Sequence, residues 1–235
     1  MLKKIVFNDW NNAYSDKFSP LGKRFSDEFV RNYHLAKEEE RGFTTDLTFI
    51  DQNKIFLDWS RTSDHPDLIE VVLREKLAPL KKFSIFITYK IKLPNAKFTG
   101  YGYDNNGDFM LKDWLITPAR FNDGHFAMYS NLNLDDSSNA ISDYEINLSI
   151  PQNYELTTNL NKNARIGSKF TLKGEKHSQV VIYLSQKSDF RSFILPHLKI
   201  ETNIKDNNLN EIKKALLIKQ ITEYAEEHIG KYPHA

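Results

Sequence analysis

The sequence predicts a mainly β protein: an antiparallel β-sandwich with a short helix near its N-terminus and an amphipathic helix at its C-terminus. Many short segments alternate apolar and polar residues and are separated by polar turns, which is typical of antiparallel sandwiches and not of alternating βα units. Aromatic residues are abundant, with 16 Phe and 11 Tyr, and such side chains favour strands. Towards the C-terminus the apolar spacing changes to that of a helix.

The first helix is predicted from its N-terminal signal. Ser19 is a suitable N-cap and Pro20 suits the first helical turn, so a helix is expected to start there. An i, i+4, i+8 repeat predicts its buried face. The three residues of that repeat are Leu21, Phe25 and Phe29.

Strand patterns dominate the middle of the chain. Residues 44–50 and 54–59 are joined by the turn-rich Asp51-Gln52-Asn53 junction and are predicted to form a hairpin. Residues 85–93 alternate cleanly, which predicts a strand with one buried face and one mostly wet face. Further strands are predicted at 1–7, 68–73, 109–116, 144–150, 154–158, 168–172, 180–184 and 198–202.

The C-terminal segment has helical periodicity. Apolar residues recur near helical spacing over residues 209–229, and Gly230 and Pro233 then provide a stop signal. No internal repeat or low-complexity linker separates this segment from the strands. We therefore expect one β-sandwich domain over residues 1–205, followed by a helix and linker over residues 206–235.

Charge and composition exclude several classes of function. The net charge is +1, with 32 basic and 31 acidic residues, so nucleic-acid binding is not expected. No apolar run approaches the roughly 20 residues that cross a bilayer, so no transmembrane segment is predicted. The N-terminal apolar run is too short for a signal peptide. Cysteine is absent, which excludes disulfides, thiolate catalysis and cysteine-ligated zinc.

The sequence contains no motif of an enzymatic site. None of its seven histidines is paired with another at i, i+4, so the H-E-x-x-H zinc helix is absent. There is also no G-x-S-x-G elbow, no Walker loop and no dinucleotide-binding G-x-G-x-x-G motif. A Ser-His-Asp arrangement of distant residues stays open at this point. We predict no catalytic residues and no metal ligands in this chain.

The loop from Gly100 to Asp108 is the candidate binding segment. Its sequence, GYGYDNNGD, brings aromatic residues and carboxylates together. Asp104, Asn106 and Asp108 stand at alternate positions, which allows a calcium interpretation, but the glycine and glutamate positions of an EF-hand are not matched. The simplest interpretation is an exposed polar hairpin tip.

Three segments carry a family pattern. Residues 93–136 contain this loop, a strand pattern with Trp114 that ends at Pro118, and a polar turn. The other two segments are FNDWNNAYSDKFSPLGKRFSDEF and, near the C-terminus, HIGKYPH. Together they resemble the N-terminal β domain of aminopeptidase N-like zinc metallopeptidases, including the divergent versions of the Bacteroidetes. In that family an LGxYPH-like segment closes the β domain and opens the catalytic domain.

This resemblance implies a non-catalytic role for the chain. The chain would dock on the thermolysin-like catalytic domain of the same parent protein and wall its substrate cleft. The zinc of the parent would lie in that catalytic domain and assist hydrolysis of the N-terminal peptide bond of a peptide substrate. The resemblance also implies that earlier strands precede this sequence in the parent, and that the parent is extracytoplasmic.

The resemblance also points to candidate residues at the substrate cleft. Family members often use a glutamine from this part of the β domain to help bind the α-amine of the substrate. This chain has no glutamine in the equivalent stretch and has Asn105, Asn106, Asp108 and Phe109 instead. These four are the cleft candidates, and the strand around Trp114 is expected to border the same cleft.

Two alternatives stay open. One is a β-sandwich binding module for carbohydrate or protein, in which exposed Tyr and Trp side chains stack on sugar rings at the Gly100 loop. The other is a degenerate family member whose catalytic domain has lost its zinc ligands. The HIGKYPH segment favours the peptidase interpretation over the first alternative, because a free-standing carbohydrate module does not need an interdomain segment.

Overall fold

The computed structural model describes residues 1–62, 64–130, 139–163, 165–187, 190–204, 206 and 208–233. The fold is mainly β, as the sequence predicts, with short helices near the N-terminus and one longer helix at the C-terminus. All described strand pairs are antiparallel. The chain divides into two compact units, Met1–Gln186 (unit 1) and Lys187–Ala235 (unit 2).

The described elements are numbered in chain order. The strands are β1 (Leu2–Asn8), β2 (Phe43–Asp51), β3 (Trp59–Thr62), β4 (His65–Leu77), β5 (Ile85–Lys92), β6 (Gly102–Tyr103), β7 (Phe109–Lys112), β8 (Thr117–Pro118), β9 (Phe121–Asn122), β10 (His125–Phe126), β11 (Ser142–Ser149), β12 (Glu155–Thr158), β13 (Asn161–Lys162), β14 (Lys169–His177), β15 (Val181–Ser185), β16 (Arg191–Leu195) and β17 (Leu198–Thr202). The α-helices are α1 (Pro20–Asp27), α2 (Arg31–His34) and α3 (Glu211–His228), and 3-10 turns span Trp10–Tyr14 and Glu38–Glu40.

Two facing sheets build the first apolar core of unit 1. One sheet has the strand order β3-β4-β1-β8, and the other pairs β2 with β5. Phe49, Ile69 and Val71 are fully buried in this core. The rings of Phe7 and Phe49, whose centroids are 5.3 Å apart, join the two sheets. Burying each such side chain contributes about 1.5–3 kcal/mol.

A second pair of sheets builds another core in unit 1. Its sheets have the orders β11-β14-β13 and β12-β15-β7-β6. Leu172 from β14 and Ile182 from β15 are fully buried in this core. Unit 1 therefore contains two sheet-on-sheet cores, each with the alternation of inward apolar residues that the strand patterns indicate.

Helix α1 begins as predicted. The Ser19 hydroxyl accepts a hydrogen bond of 3.1 Å from the Gly22 main-chain N–H, and Pro20 occupies the first helical turn. Leu21 and Phe25 are buried in a third apolar cluster of unit 1. The N-cap and the first two positions of the predicted apolar repeat are thus confirmed.

The prediction for Phe29 is wrong. Helix α1 ends at Asp27, and the Val30 N–H donates to the Phe25 carbonyl at 2.7 Å across the helix end. This closure puts Phe29 at a φ of 60°, in the left-handed region, with its ring exposed. The i+8 position therefore falls outside the helix and off its buried face.

The predicted hairpin over residues 44–59 forms at its turn and for a short stretch beyond it. The Asp51 side chain accepts hydrogen bonds from the N–H groups of Asn53 and Ile55, and main-chain hydrogen bonds of 2.9 Å join Asp51 to Ile55 and Leu57 to Phe49 around a bridge between Ile50 and Phe56. Trp59 then begins β3, which pairs with β4, and β2 also pairs with the distant β5. β5 has the predicted alternation of partly buried and exposed residues.

The predicted strand over residues 109–116 ends early. β7 stops at Lys112, and the next residue, Asp113, has a φ of 53°, in the left-handed region that residues other than glycine seldom adopt. Trp114 therefore follows the strand and does not lie in it. Its side chain is half-buried against the second core of unit 1.

Unit 2 is a hairpin packed against a helix. Strands β16 and β17 pair over five positions, and Ile218 of α3 is buried beside Phe193 of the hairpin. Two polar contacts connect the hairpin to the helix: Arg191 with Glu211 at 3.2 Å, and His197 with Glu226. This hairpin groups with the helix, so the division falls after Gln186, not after residue 205.

Within the described residues, no helix is long and apolar enough to cross a membrane.

Candidate functional site

The candidate loop is a tight turn between β6 and β7 that the side chain of Asp104 closes. Asp104 Oδ1 accepts hydrogen bonds of 2.9 Å from the main-chain N–H groups of Asn106 and Asp108. Gly107 has a φ of 82° and donates its N–H to the Asp104 carbonyl at 3.2 Å. This is an Asx-type turn. The calcium interpretation requires the Asp104 carboxylate as a ligand, but this carboxylate is hydrogen-bonded to the loop backbone.

The electrostatics of the loop agree with this geometry. Desolvation acts to raise the pKa of Asp104, but hydrogen bonds from Asp108 and Asn106 outweigh it, so this pKa is lowered. Asp108 accepts a hydrogen bond of 2.8 Å from the Tyr183 hydroxyl. Burial, together with this carboxylate, raises the pKa of Tyr183 to about 12. At neutral pH the Asp104 carboxyl is therefore ionised, and the phenol of Tyr183, which lies in β15 beside the loop, is protonated.

The four predicted cleft residues are neighbours with different environments. Asn105 and Asn106 are exposed at the tip, and the Asn106 amide donates a hydrogen bond of 3.0 Å to Asp104 Oδ2. Asp108 has one oxygen engaged by Tyr183. Phe109 packs on Tyr154, with ring centroids 5.8 Å apart, at the border of the second core. The arrangement offers groups for hydrogen bonding.

Residues that are distant in the sequence complete the surroundings of the loop. The Tyr154 hydroxyl donates to the Gly107 carbonyl at 2.9 Å and accepts a hydrogen bond of 2.9 Å from the Gln186 amide. The pairing of β15 with β7 brings Tyr183 to Asp108, 75 positions earlier in the chain. Because no local pattern encodes that pairing, the sequence contained no signal for these three residues.

The aromatic residues of the loop are engaged with their own unit. The Lys112 amino group lies 4.9 Å from the centroid of the Tyr101 ring. The Tyr103 hydroxyl donates to the Glu39 carbonyl at 3.3 Å. Both rings are half-buried, so the loop does not offer the open aromatic faces that stack on sugars. The carbohydrate alternative gains no support here.

A buried polar network, not predicted from the sequence, follows β1. Asp9 is fully buried, and its carboxylate accepts hydrogen bonds from Arg61 at 2.5 Å and from the Thr44 hydroxyl at 2.9 Å. The Asn12 amide donates to the Pro66 carbonyl at 2.6 Å and accepts from the Thr44 N–H at 3.1 Å. Burial raises the pKa of Asp9 even though Arg61 opposes this shift. The network ties β1 to β2, β3 and β4.

One Ser-His-Asp group occurs among the described residues, but its order is not that of a catalytic triad. The Ser130 hydroxyl donates to Asp67 Oδ1 at 2.7 Å and lies 2.6 Å from His65 Nδ1. In a triad the histidine lies between the carboxylate and the serine and removes the serine proton. Here the serine lies between the other two, so the group fastens Ser130 to the start of β4.

A second buried polar cluster surrounds Asn139. Its Oδ1 accepts hydrogen bonds from Trp10 at 3.1 Å and Asn8 at 3.3 Å, and its amide donates to Asp113 Oδ1 at 3.0 Å. Asp113 Oδ2 is buried without a hydrogen-bond partner, and burial raises the pKa of this carboxyl. The adjoining cavity of about 10 Å³, lined in part by Trp114, has room for one water and not for an organic ligand.

In unit 2, helix α3 carries an exposed apolar surface on the sides not packed against the hairpin. Leu217, Ile221 and Tyr224 recur at i, i+4 and i+7 and are 36%, 56% and 64% exposed. Ile212 and Leu216, which follow each other at i and i+4, are exposed on another side of the helix. These five residues are called the α3 face below. A helix that is apolar on several sides usually packs against more than one neighbour.

Neither metal geometry nor similarity to known proteins assigns a function. Among the described residues, no group of three or more His, Asp or Glu side chains is placed to hold a metal ion. Comparison of the chain with protein-family models and with curated proteins finds no match. The function proposed below is therefore argued from the residues and structure of this chain and from the resemblance of its motifs.

Proposed function

We propose that this chain is the non-catalytic β domain of an aminopeptidase N-like zinc metallopeptidase, docking on its catalytic domain and walling the substrate cleft. The observation that carries the proposal is the α3 face, which lies directly before the HIGKYPH segment. The helix ends at His228, inside the segment that, by resemblance, leads into the catalytic domain. Its exposed apolar surface therefore lies next to the expected partner.

Burial of the α3 face would stabilise docking. Leu217, Ile221 and Tyr224 share one side of the helix and are exposed there, and exposed apolar patches of this kind mark interaction surfaces. Fully burying one such side chain contributes about 1.5–3 kcal/mol. Ile218 already packs against the hairpin, so a partner on the other side would complete the environment of the helix.

The candidate loop would contribute to the cleft wall in this arrangement. Asn105 and Asn106 are exposed on a turn that Asp104 closes. The Asn105 amide and the carbonyl oxygen of the Asn106 side chain, whose nitrogen donates to Asp104, would hydrogen-bond a polar group of a peptide. This chain does not provide the zinc site, because it lacks the H-E-x-x-H motif. Its share in the parent reaction would be to restrict which peptide termini enter.

The coding sequence that follows Ala235 gives the first test. An H-E-x-x-H motif with a later glutamate is expected there. That downstream segment, expressed separately, should co-elute with this chain in size-exclusion chromatography. Ile221→Asp should weaken the complex at least tenfold, whereas Ile194→Asp, the same change at an exposed apolar residue of β16, should not.

Two results would contradict the proposal. One is a downstream sequence without the zinc motif together with no binding of its product. The other is zinc held stoichiometrically by the purified chain, or hydrolysis of aminoacyl anilides by the chain alone. A downstream product that binds through the α3 face but lacks the zinc ligands would identify a degenerate family member instead.

A further inference from the structure

A large apolar groove opens in unit 1 beside β1 and β5. Its volume is about 1130 Å³. Ile5 and Phe7 of β1 line it, as do Ile85 and Ile87 of β5. The same side chains border the core between the two sheets. The groove is therefore an opening in this sandwich, along which Ile5, Ile85 and Ile87 are only partly buried.

Part of the β1 edge along this groove has main-chain groups without a partner among the described residues. β8 pairs only with Phe7 and Asn8, and the Ala119 N–H donates to the Val6 carbonyl at 2.9 Å. Since main-chain groups alternate in direction along a strand, the N–H and C=O of Lys4 point to the same side as those of Val6. In the described part of the chain, no strand pairs with Lys4 on that side.

The side chain of Lys4 does not block this edge. It points to the opposite face of the sheet from Ile5, and its amino group pairs with Glu70 at 2.7 Å. Natural sheets usually protect a free edge with an inward charge, a proline or a bulge. The β1 edge instead combines free main-chain groups at Lys4 with an apolar floor at Ile85 and Ile87.

We propose that this groove accepts one extended strand of a partner polypeptide that has apolar residues at every second position. Such a strand would hydrogen-bond to Lys4 by addition to the β1 edge. Its alternate side chains would then point onto Ile85 and Ile87. A small apolar ligand would fill the space but leave the main chain of Lys4 unpaired, and a helix has no free main-chain groups along its side to pair with it. This inference does not depend on the proposed peptidase role.

Peptide binding to the full chain tests this inference. The probes are fluorescent seven-residue peptides, acetylated and amidated, that alternate Val or Ile with Lys, Glu or Thr. Anisotropy is expected to show saturable binding of one peptide per chain. Methylating the peptide amides that face β1 should weaken binding about tenfold. A peptide of the same composition with its apolar residues in one block is the matched control and should bind much less.

A variant of the edge provides the second arm. Lys4→Pro removes the N–H that faces the groove, and proline is tolerated where the N–H of an edge strand is not in the ladder. We expect about tenfold weaker peptide binding with an unchanged circular dichroism spectrum. Lys4→Ala keeps the N–H and should bind the peptide as the unchanged chain does.

Four results would overturn the inference. The first two are that no alternating peptide binds, and that peptides bind equally well after their amides are methylated. The third is that laurate binds tightly and excludes the peptide, while Lys4→Pro has no effect. The fourth is that the chain forms a dimer that Lys4→Pro dissociates. The third would identify an apolar ligand pocket, and the fourth would identify a second copy as the occupant. The methylated peptides keep the test decisive even if Lys4→Pro perturbs folding.

Discussion

The guanidinium of Arg61 lies 2.5 Å from the fully buried carboxylate of Asp9. This ion pair joins the segment after β1 to strand β3, and the Thr44 hydroxyl from β2 completes the hydrogen bonding of Asp9 at 2.9 Å. The Arg61 side chain is itself only 17% exposed. The main effect of the Arg61 guanidinium is to compensate the negative charge of Asp9, which would otherwise be buried without a partner.

Removing Arg61 is therefore expected to destabilise unit 1 strongly. Arg61→Ala should lower the free energy of unfolding by about 3 kcal/mol, because it leaves Asp9 buried and unpaired. The double variant Asp9→Asn, Arg61→Leu should lose less, since it removes both charges and keeps most of the packing. Urea unfolding of the three proteins measures this. Equal losses in the single and double variants would contradict this explanation, because the double variant leaves no unpaired charge in the core.

Asp113 is expected to make stability depend on pH. Because burial raises its pKa, the folded state binds a proton more tightly than the unfolded state. The free energy of unfolding should then fall as the pH rises from the usual carboxyl pKa of about 4 to the raised value, and become flat above it. Asp113→Asn should remove this part of the slope and increase stability at pH 7.

The control for that prediction is Asp113→Ala. Asn tolerates the left-handed conformation at φ 53° and keeps an acceptor for the Asn139 amide, whereas Ala does neither. The alanine variant should therefore be less stable than the asparagine variant at every pH. Asp9 also has a raised pKa and adds its own pH dependence to the stability of every variant. The free energy of unfolding in urea should therefore be compared at each pH between the variants and the unchanged chain, so that the contribution of Asp9 cancels. An unchanged slope in Asp113→Asn would contradict the assignment.

Two glycines near the candidate loop should respond differently to alanine. A Cβ at Gly102, where φ is 115°, would lie 1.8 Å from the Pro94 carbonyl oxygen, whereas a Cβ at Gly100 meets no atom within 4 Å. Gly102→Ala should lower the free energy of unfolding by more than about 3 kcal/mol, because it adds a backbone clash to conformational strain. Gly100→Ala, with strain alone, should cost about 1 kcal/mol. Thermal unfolding separates the two, and similar losses would show that the Pro94 segment moves aside.

The side chain of Asp104 is expected to hold the candidate loop in shape. Asp104→Ala removes the acceptor for the N–H groups of Asn106 and Asp108 and should cost about 1–2 kcal/mol. Asn105→Ala at the exposed tip should be neutral. Hydrogen exchange at the Asp108 amide reports the loop directly, and undiminished protection in Asp104→Ala would show that the backbone closes without the carboxylate.

Helix α3 is expected to be the least stable long element of the isolated chain. Its only buried residue is Ile218, and helices in proteins draw most of their stability from tertiary packing. Amides of residues 216–225 should therefore exchange faster than those of β5. Equal protection would show that the helix is already fully packed, and would weaken the docking role proposed for the α3 face.

Local rules determined several features that can be recognised in the sequence alone. Ser19 and Pro20 start α1, the period-2 pattern of residues 85–93 forms β5, and helical spacing forms α3. Each depends on neighbours within a few positions, so propensity, capping and periodicity are sufficient to identify it. The mainly β class follows from the same patterns, because each short alternating segment has one face to bury.

Tertiary structure alone decided which strands pair and what surrounds the candidate loop. β2 takes the distant β5 as its longer partner and the adjacent segment only near the turn, and Asp113, directly after β7, has a left-handed conformation that no local pattern indicates. Tyr183 meets Asp108 only because β15 pairs with β7. Register between distant strands depends on simultaneous burial of many side chains, and that collective free energy is not contained in any single segment of the sequence.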